Sequence, residues 1–242
     1  MNASVRVALI GMGRMGRALD ALAGERGIEV VARLDAPEMH RGLTRMDLHD
    51  AQVAIEFSQP DVAVDNAIAC LSLHCPVVIG TTGWRAHHER LGQAIVQYGC
   101  PALASPNFSL GVQLFLAIAE DTARRVRDMS GFDVHIVETH HAAKQDAPSG
   151  TGVAIGDRIS AALGRETGIT SVRVGSVPGT HEVILDAPFE QIRLVHEARD
   201  RRVFADGALV AARWLAAGRA PALYSMQDVL ASPPTTAPRG SS

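Results

Sequence analysis

The sequence predicts an α/β protein with a doubly wound parallel sheet, followed by a second domain of α+β type that contains a mostly antiparallel sheet. Two patterns support this prediction. From Val5 to Ala104, short continuous apolar runs alternate with longer helical patterns, as in parallel strands that helices cover on both faces. After Asn107, strand-like segments with a period of two follow one another through short turns, which is typical of antiparallel sheets.

The apolar runs and amphipathic periods define the expected elements in chain order. Strands of the first sheet are expected at residues 5–10, 28–34, 53–57, 76–79 and 101–104. Strands of the second sheet are expected at residues 132–138, 171–174, 182–185 and 191–196. Beyond the helices that connect the first strands, helices are expected at residues 110–129, 150–163, 204–217 and 223–230.

Length and composition exclude several classes of function. With 242 residues, 47% of them hydrophobic and 20% charged, the chain is long enough for one large or two modest domains and is not disordered. The net charge of -3 comes without a basic run, so nucleic acid is not an expected partner. No apolar stretch reaches the ~20 residues that span a bilayer. The N-terminus runs directly into the strand-like segment at Val5, which is not the pattern of a signal peptide. We therefore expect a cytoplasmic protein that does not bind membranes.

The three cysteines are not expected to carry chemistry. The chain has an odd number of cysteines, Cys70, Cys75 and Cys100, and no two of them have CxxC spacing. Both facts argue against a disulfide framework and against a thiolate metal site. We expect all three to be buried apolar residues.

A glycine-rich loop follows the first predicted strand: Gly11-Met12-Gly13-Arg14-Met15-Gly16. Gly11 permits a tight turn, Gly13 lets the backbone approach a pyrophosphate, and Gly16 lets the next helix pack on the strand. Asp35, at the end of the second strand, is placed to accept hydrogen bonds from ribose hydroxyls. This context predicts a Rossmann-type sheet that binds a dinucleotide. A glycine-rich turn without a ligand is the alternative.

Two more loops end on the same predicted edge of the sheet. They are Gly80-Thr81-Thr82-Gly83 and Ser105-Pro106-Asn107-Phe108. Either loop alone is compatible with an ordinary strand-to-helix connection, but ligands of open α/β sheets bind at this edge. Three such loops indicate a bound dinucleotide, and we expect all their residues to contact it.

The cofactor is expected to be NADH, NADPH or both, with a preference for NADH. The Asp35 carboxylate favours a free ribose diol and repels a 2'-phosphate. Arg33 lies close to Asp35 in sequence, and Arg14 lies in the glycine loop. These two side chains could bind a 2'-phosphate instead.

The densest cluster of reactive side chains runs from Glu138 to Gly152 and includes His140, His141 and Lys144. A helix start, Pro148-Ser149-Gly150-Thr151, follows the cluster, and we expect its exposed N–H groups to form an anion site that Lys144 reinforces. Such a pocket suits a small carboxylate substrate. One alternative is a pair of surface histidines. A zinc site is disfavoured because no third ligand lies at a standard spacing, so no metal is expected.

This cluster resembles the signature of the dihydrodipicolinate reductase family: paired histidines, a lysine three residues after the second, and Asp-Ala-Pro-Ser-Gly-Thr. The chain matches that pattern at His140, His141, Lys144 and residues 146–151. Further matches lie at residues 11–16, 80–83, 106–111, 173–175, 179–181 and 196–215. The first glycine loop is one residue shorter than the family's Gly-x-x-Gly-Arg-Met-Gly.

The resemblance implies an NAD(P)H-dependent reductase of the diaminopimelate and lysine pathway, which converts 4-hydroxy-tetrahydrodipicolinate to tetrahydrodipicolinate. It implies that His140 is the general acid and that Lys144 assists it while binding a substrate carboxylate with His141. It places Ser149, Gly150 and Thr151 at a carboxylate site. It also implies a homotetramer formed through the second sheet. Another two-domain Rossmann oxidoreductase for a small carboxylate, or a non-catalytic nucleotide sensor, are the alternatives.

These inferences give the expected domains. Residues 1–107 with 213–231 are expected to form the dinucleotide-binding domain, and residues 108–212 the domain for substrate binding and oligomerisation. Residues 232–242 cannot pack a core and are expected to be a disordered tail.

Overall fold

The computed structural model describes residues 4–232, and the chain forms two compact units. Unit 1 comprises Met1–Ser109 and Phe204–Ser242, and unit 2 comprises Leu110–Val203. The first boundary lies close to the predicted residue 107, whereas the return to unit 1 comes at Phe204 instead of residue 213. The tail expected at residues 232–242 lies outside the described residues except for Ser232, whose carbonyl accepts a 2.8 Å hydrogen bond from the Trp214 indole.

The elements follow one another in an order close to the predicted one. The strands are β1 Val5–Ile10, β2 Ile28–Leu34, β3 Val53–Glu56, β4 Val77–Ile79, β5 Ala102–Ala104, β6 Asp133–His140, β7 Gly168–Arg173, β8 Thr180–Ala187, β9 Glu190–Glu197 and β10 Leu223–Tyr224. The helices are α1 Arg14–Ala23, α2 Ala36–His40, α3 Arg45–Leu48, α4 Ala63–Ser72, α5 His88–Tyr98, α6 Leu110–Val126, α7 Gly150–Leu163, α8 Arg202–Ala216 and α9 Met226–Ala231.

Unit 1 is built on a six-stranded sheet in the order β10-β5-β4-β3-β1-β2, in which all neighbouring strands are parallel. The predicted strands of this sheet are confirmed, because continuous apolar runs are what a sheet buried on both faces requires. Cys70, Cys75 and Cys100 are buried free thiols in its core, as predicted. Burial raises the pKa of Cys75 to about 12, so this thiol is not a reactive one.

The end of unit 1 differs from the prediction of a single helix over residues 223–230. Leu223 and Tyr224 instead pair with Ala102 and Leu103 as strand β10. Helix α9 begins only after Ser225, whose hydroxyl accepts a hydrogen bond from Gln227 N. A two-residue strand is too short to produce a period of its own, so the helical pattern behind it dominated the prediction.

Helix α8 belongs to unit 1 from Phe204 onward because it packs closely on the loop after β5. A Cβ built at Gly207 would lie 1.7 Å from the carbonyl oxygen of Phe108. Only glycine permits this approach, which explains why the return to unit 1 comes earlier than predicted.

Unit 2 is a four-stranded sheet in the order β7-β6-β8-β9. The pairs β6–β8 and β8–β9 are antiparallel and β6–β7 is parallel, which confirms the mostly antiparallel sheet. One face packs its apolar side chains, among them Ile136 and Val183, against Ile155 and Ile159 of α7 and against α6.

Along β6 this inner face changes its chemistry. Val134 and Ile136 are apolar, but the next two residues on the same face, Glu138 and His140, are polar and also buried. His181 lies beside Glu138 in the register of β8. The core of unit 2 therefore ends in a buried polar cluster. No helix among residues 4–232 is both long and apolar enough to cross a membrane.

Candidate active site

The loops that follow the strands of unit 1 lie on one edge of the sheet, because neighbouring strands run parallel. The glycine loop after β1 is held tightly. Gly11 has a φ of +88°, and a Cβ there would lie 2.2 Å from the carbonyl oxygen of Phe57. A Cβ at Gly16 would lie 2.1 Å from the carbonyl oxygen of Gly11. Both positions therefore require glycine.

Gly13, between them, faces open space. It is the N-cap of α1, is exposed, makes no side-chain capping hydrogen bond, and a Cβ there would meet nothing within 4 Å. The first N–H groups of α1, from Arg14 and Met15 onward, precede any intrahelical partner. This open cradle at a helix N-terminus fits the pyrophosphate of a dinucleotide.

The loops after β3, β4 and β5 meet at Phe57. A Cβ at Gly80 would lie 2.0 Å from the Phe57 ring, and the Phe57 and Phe108 ring centroids are 5.9 Å apart. Ser58 N donates to Thr81 Oγ1 at 2.8 Å. The structure thus brings together the two loops, residues 80–83 and 105–108, that the sequence predicted at the site.

The other loop residues differ in exposure. Thr82, Gly83 and Pro106 are exposed, whereas Met12 and Asn107 are half-buried. Ser105 is buried, and its hydroxyl donates to the carbonyl of Asn107 at 2.7 Å. Ser105 therefore shapes its own loop.

Asp35 and Arg33, which bear on cofactor choice, both have partners. Asp35 is exposed and caps α2, where its Oδ1 accepts a hydrogen bond from Ala36 N at 3.2 Å. Arg33 binds both carboxylate oxygens of Asp20, at 2.8 and 2.6 Å. Arg14 is exposed. The guanidinium of Arg33 is therefore already paired.

The chemistry of unit 2 is concentrated where β6 ends. His140 Nδ1 forms an ion-pair contact with Glu138 Oε2, and the side chains are 10% and 0% exposed. The rings of His140 and His181 meet edge to face with centroids 5.2 Å apart. Ser149 Oγ lies 3.5 Å from His181 Nε2. Four polar groups thus form one buried cluster.

Glu138 is held in its charged state. Burial acts to raise the pKa of its carboxyl, but hydrogen bonds from Ser171, Arg173 and Ser149 and the charge of His140 lower that pKa to about 2. Arg173 Nη2 donates to Glu138 Oε1 at 2.8 Å. The carboxylate is therefore ionised throughout the neutral range.

For the two histidines of the cluster, burial favours the neutral form. Burial lowers the pKa of His140, and Glu138 only partly opposes this effect. Burial, with the charges of His140 and His196, lowers the pKa of His181 to about 4. His140 is in contact with the Glu138 carboxylate, which stabilises an imidazolium and therefore suits a proton donor.

The segment after β6 carries the remaining predicted residues. Lys144 Nζ binds both oxygens of Asp146, at 2.7 and 2.9 Å. His141 Nε2 lies 3.1 Å from Arg201 Nη2. Arg173 also donates to the Asp146 carbonyl oxygen, at 2.5 Å, and so ties this segment to β7.

The helix start has the geometry that the sequence predicted. Ser149 is the N-cap of α7, and its hydroxyl accepts a hydrogen bond from Gly152 N at 3.0 Å. Ser149 is buried, whereas Gly150 is exposed and Thr151 is half-buried. The backbone N–H groups of Gly150 and Thr151 are thus the ones nearer the surface.

Glu138, His140 and His181 also lie close enough to share an ion, since one ligand atom from each falls within 4.8 Å of the others. The sequence argument against zinc, the lack of a third ligand at a standard spacing, therefore does not hold in space. However, the carboxylate already binds the Arg173 guanidinium, and this cation disfavours a divalent metal ion. We still expect no metal here.

Several residues of the site escaped sequence reasoning. Phe57 carried no signal beyond its place at the end of a strand. Glu138 was part of the predicted segment without a role. Arg173 and His181 entered only through family matches, and Arg201 lies within such a match without being singled out. Their functions depend on contacts between residues far apart in sequence, which a local pattern does not report.

Comparison with known proteins agrees with this geometry. The model of the N-terminal part of dihydrodipicolinate reductase matches residues 5–108, and that of its C-terminal part matches residues 111–230. A protein of Thiobacillus denitrificans named 4-hydroxy-tetrahydrodipicolinate reductase is 37% identical, covering 94% of this chain and 98% of that protein. A namesake from Hahella chejuensis is 34% identical, covering 93% of this chain and 98% of that protein.

A solved structure shares the fold. Dihydrodipicolinate reductase from Paenisporosarcina sp. TG-14, with dipicolinate bound, superposes with a TM-score of 0.77 at 20% identity, covering 93% of this chain and 99% of that chain.

A Rossmann-type sheet with an open glycine cradle, joined in one chain to a unit with a buried Glu138–His140 pair, fits an oxidoreductase of two domains. Within that class, the chain belongs to the dihydrodipicolinate reductase family. This confirms the predicted family, the fold class, and the assignment to an oxidoreductase of lysine and diaminopimelate biosynthesis.

The glycine loop gives the first prediction. Gly13→Ala adds a methyl group to open space, so we expect an unchanged melting temperature but at least about 10-fold weaker NADH binding, since the methyl group occupies the cradle. Gly16→Ala places a methyl group against the Gly11 carbonyl and should lower the melting temperature as well. Fluorescence titration and thermal denaturation measure the two effects. Equal NADH affinity in Gly13→Ala and the wild type would contradict this cofactor site.

Proposed function

We propose that this protein reduces 4-hydroxy-tetrahydrodipicolinate to tetrahydrodipicolinate with NADH or NADPH as the reductant. The substrate takes up a hydride and a proton and loses its 4-hydroxyl group as water, so the products are tetrahydrodipicolinate, the oxidised nucleotide and water. This proposal depends mainly on one observation: His140, His141 and Lys144 lie together at the end of β6, before the N-terminus of α7. This cluster suits a substrate with two carboxylates.

When bound, the nicotinamide supplies the hydride. The chain supplies the proton and the binding of charge. His140 is the proposed general acid, because its Nδ1 is occupied by Glu138 and its Nε2 is the nitrogen left to give a proton.

The substrate carboxylates are proposed to bind the cations and N–H groups around His140. Lys144 has three donors, and within residues 4–232 its hydrogen bonds go to Asp146, so an additional carboxylate can join it. His141 lies beside Arg201, whose guanidinium supplies the charge of a second carboxylate position. The N–H groups of Gly150 and Thr151 lie in the first turn of α7, where the helix dipole favours an anion, and Ser149 holds that turn.

Turnover is the direct test of this proposal. The purified protein should oxidise NADH or NADPH when given the condensation product of aspartate semialdehyde and pyruvate, and pyridine-2,6-dicarboxylate should inhibit competitively. Absorbance of the reduced nicotinamide measures the rate. Activity on a different carboxylate without activity on this imine would favour another oxidoreductase, and nucleotide binding without turnover of either would favour a sensor.

The role of His140 can be tested by substitution. His140→Gln should lower kcat by roughly 10²- to 10⁴-fold, the usual loss for a general acid, with NADH binding unchanged. Lys144→Ala should be at least as damaging because a substrate carboxylate loses its charged partner. His141→Gln should change KM more than kcat. His87→Gln is the control, because His87 is exposed in unit 1. If kcat is normal in His140→Gln but falls strongly in His141→Gln, then His141 is the acid and His140 binds the carboxylate.

The preference for NADH is proposed from the contacts of Arg33. Its guanidinium is bound by Asp20, and the exposed Asp35 carboxylate repels a phosphate at the ribose. Asp20→Asn should release Arg33 and raise kcat/KM for NADPH relative to NADH by roughly 10-fold, or about 1.4 kcal/mol. Asp65→Asn, which breaks the Asp65–Arg90 pair elsewhere in unit 1, should leave the ratio unchanged. A strong NADPH preference of the wild-type enzyme would contradict this proposal.

A homotetramer formed through the sheet of unit 2 is proposed as well. Helices α6 and α7 cover the inner face of this sheet, while its outer face carries apolar side chains of Val137, Val172, Ile184 and Val195. Val195 is 57% exposed and Val172 is 37% exposed. Apolar residues that share the uncovered face of a sheet favour association. We also propose a cytoplasmic location, where this biosynthetic reaction finds reduced nucleotide.

A further inference from the structure

We infer that Glu138 is a positioning residue for His140: its carboxylate binds Nδ1 of the imidazole, so that Nε2 is the nitrogen that donates the proton, while Arg173 fixes the carboxylate. This inference rests on the function proposed above, since it assigns a task to a neighbour of the proposed acid.

The first support is the geometry along β6. Glu138 and His140 are two residues apart, so their side chains lie on the same face of the strand. Oε2 of Glu138 contacts Nδ1 of His140, and both atoms are shielded from solvent. Apart from this ion-pair contact, Nδ1 meets no hydrogen-bonding partner within residues 4–232. Since Nδ1 is also shielded from water, the Glu138 carboxylate is the polar group that orients this nitrogen.

The second support is that the carboxylate cannot turn away. Strand β7 pairs with β6 so that Arg173 lies opposite His140. The guanidinium donates to Glu138 Oε1, and Ser149 N lies 3.4 Å from the same oxygen. One oxygen of Glu138 is thus bound by β7 and by the cap of α7, which leaves the other oxygen for His140.

The third support is the surroundings of Nε2. A Cβ built at Gly179 would lie 3.0 Å from Nε2 and 3.3 Å from Cδ2 of His140. Any side chain at position 179 would press on the edge of the ring that carries Nε2. The absence of a side chain at position 179 leaves room beside Nε2, whereas Nδ1 is shielded from solvent.

These contacts matter for proton transfer because a neutral imidazole can carry its proton on either nitrogen. A carboxylate on Nδ1 selects the tautomer with the proton on Nδ1, so that Nε2 receives and donates the second proton. The titratable and charged side chains around His140 are Glu138 on β6, Lys144 and its partner Asp146 after β6, Arg173 on β7 and His181 on β8. Of the groups that act on the charge of His140, Glu138 favours the imidazolium and Lys144 and Arg173 oppose it.

The test compares Glu138→Gln with a matched control, Glu120→Gln. Glu120 lies on α6 of the same unit, has its side chain 34% exposed, and pairs with Arg124 at 2.8 Å and with Arg158 of α7 at 3.4 Å. It belongs neither to the cluster around His140 nor to the outer face of the sheet, where the subunit contacts are proposed. Both substitutions remove one charge from a glutamate that binds an arginine, with little change in size.

In Glu138→Gln we expect kcat to fall by at least about 10-fold, less than on loss of the acid itself, with KM changed much less. The limb where kcat/KM falls with rising pH should move to lower pH, because the anion that stabilises the imidazolium is lost. Glu120→Gln should keep kcat and the pH profile of the wild type. If Glu138→Gln keeps them too, the inference is wrong although the reductase activity stands.

A second measurement does not depend on turnover. In ¹⁵N-histidine spectra of the wild-type protein, neutral His140, assigned by its loss in His140→Gln, should carry its proton on Nδ1. Glu138→Gln should show a mixture of tautomers. A neutral His140 protonated on Nε2 in the wild type would overturn the inference, even if Glu138→Gln fails to fold. Failure of the reductase assay with the expected tautomer would instead contradict the proposed function.

Discussion

The active-site region of unit 2 depends on one buried charge, the carboxylate of Glu138. An ionised group without solvent exposure is costly by several kcal/mol unless its neighbours replace water. Here Arg173, His140, Ser149 and Ser171 do so, and they come from strands β6 and β7 and from the start of α7. Because each of these groups must reach the same carboxylate, the ends of the three elements are drawn together, and the proposed acid is placed by the requirement to neutralise a charge.

Unit 1 meets a different constraint, the close approach of backbone segments at the edge of a parallel sheet. Gly11, Gly16 and Gly80 each occupy a position where a Cβ would lie about 2 Å from a neighbouring atom. Glycine removes that conflict and lets the loops close around Phe57. Gly13 differs from the other three because nothing faces it, so the loop stays rigid and keeps one open position. A rigid loop with one opening is the geometry that backbone binding of a pyrophosphate requires.

Much of this fold was predictable because its signals are local. Continuous apolar runs mark the parallel strands, and the glycine spacing marks the cradle. What the sequence did not predict depends on distant partners. The pairing of Arg33 with Asp20 follows from strand β2 lying beside helix α1, and the link of Arg173 to Glu138 follows from the register of β7 on β6. Strand β10 was missed because two residues carry no period, and their conformation comes from pairing with β5.

The inner face of β6 allows the buried pair of Glu138 and Arg173 to be compared with the apolar core beside it. Ile136 and Val183 fill the inner face one step before Glu138 and His181, with the same register and the same burial. Replacing buried ion pairs by apolar residues of similar volume is often neutral or stabilising, so burial of Glu138 and Arg173 is weak evidence for a role in stability. The role of these two residues is to orient the imidazole of His140. An apolar residue at position 138 would complete the core but would leave the imidazole of His140 without a partner that distinguishes its two nitrogens, and the direction of proton donation would be lost.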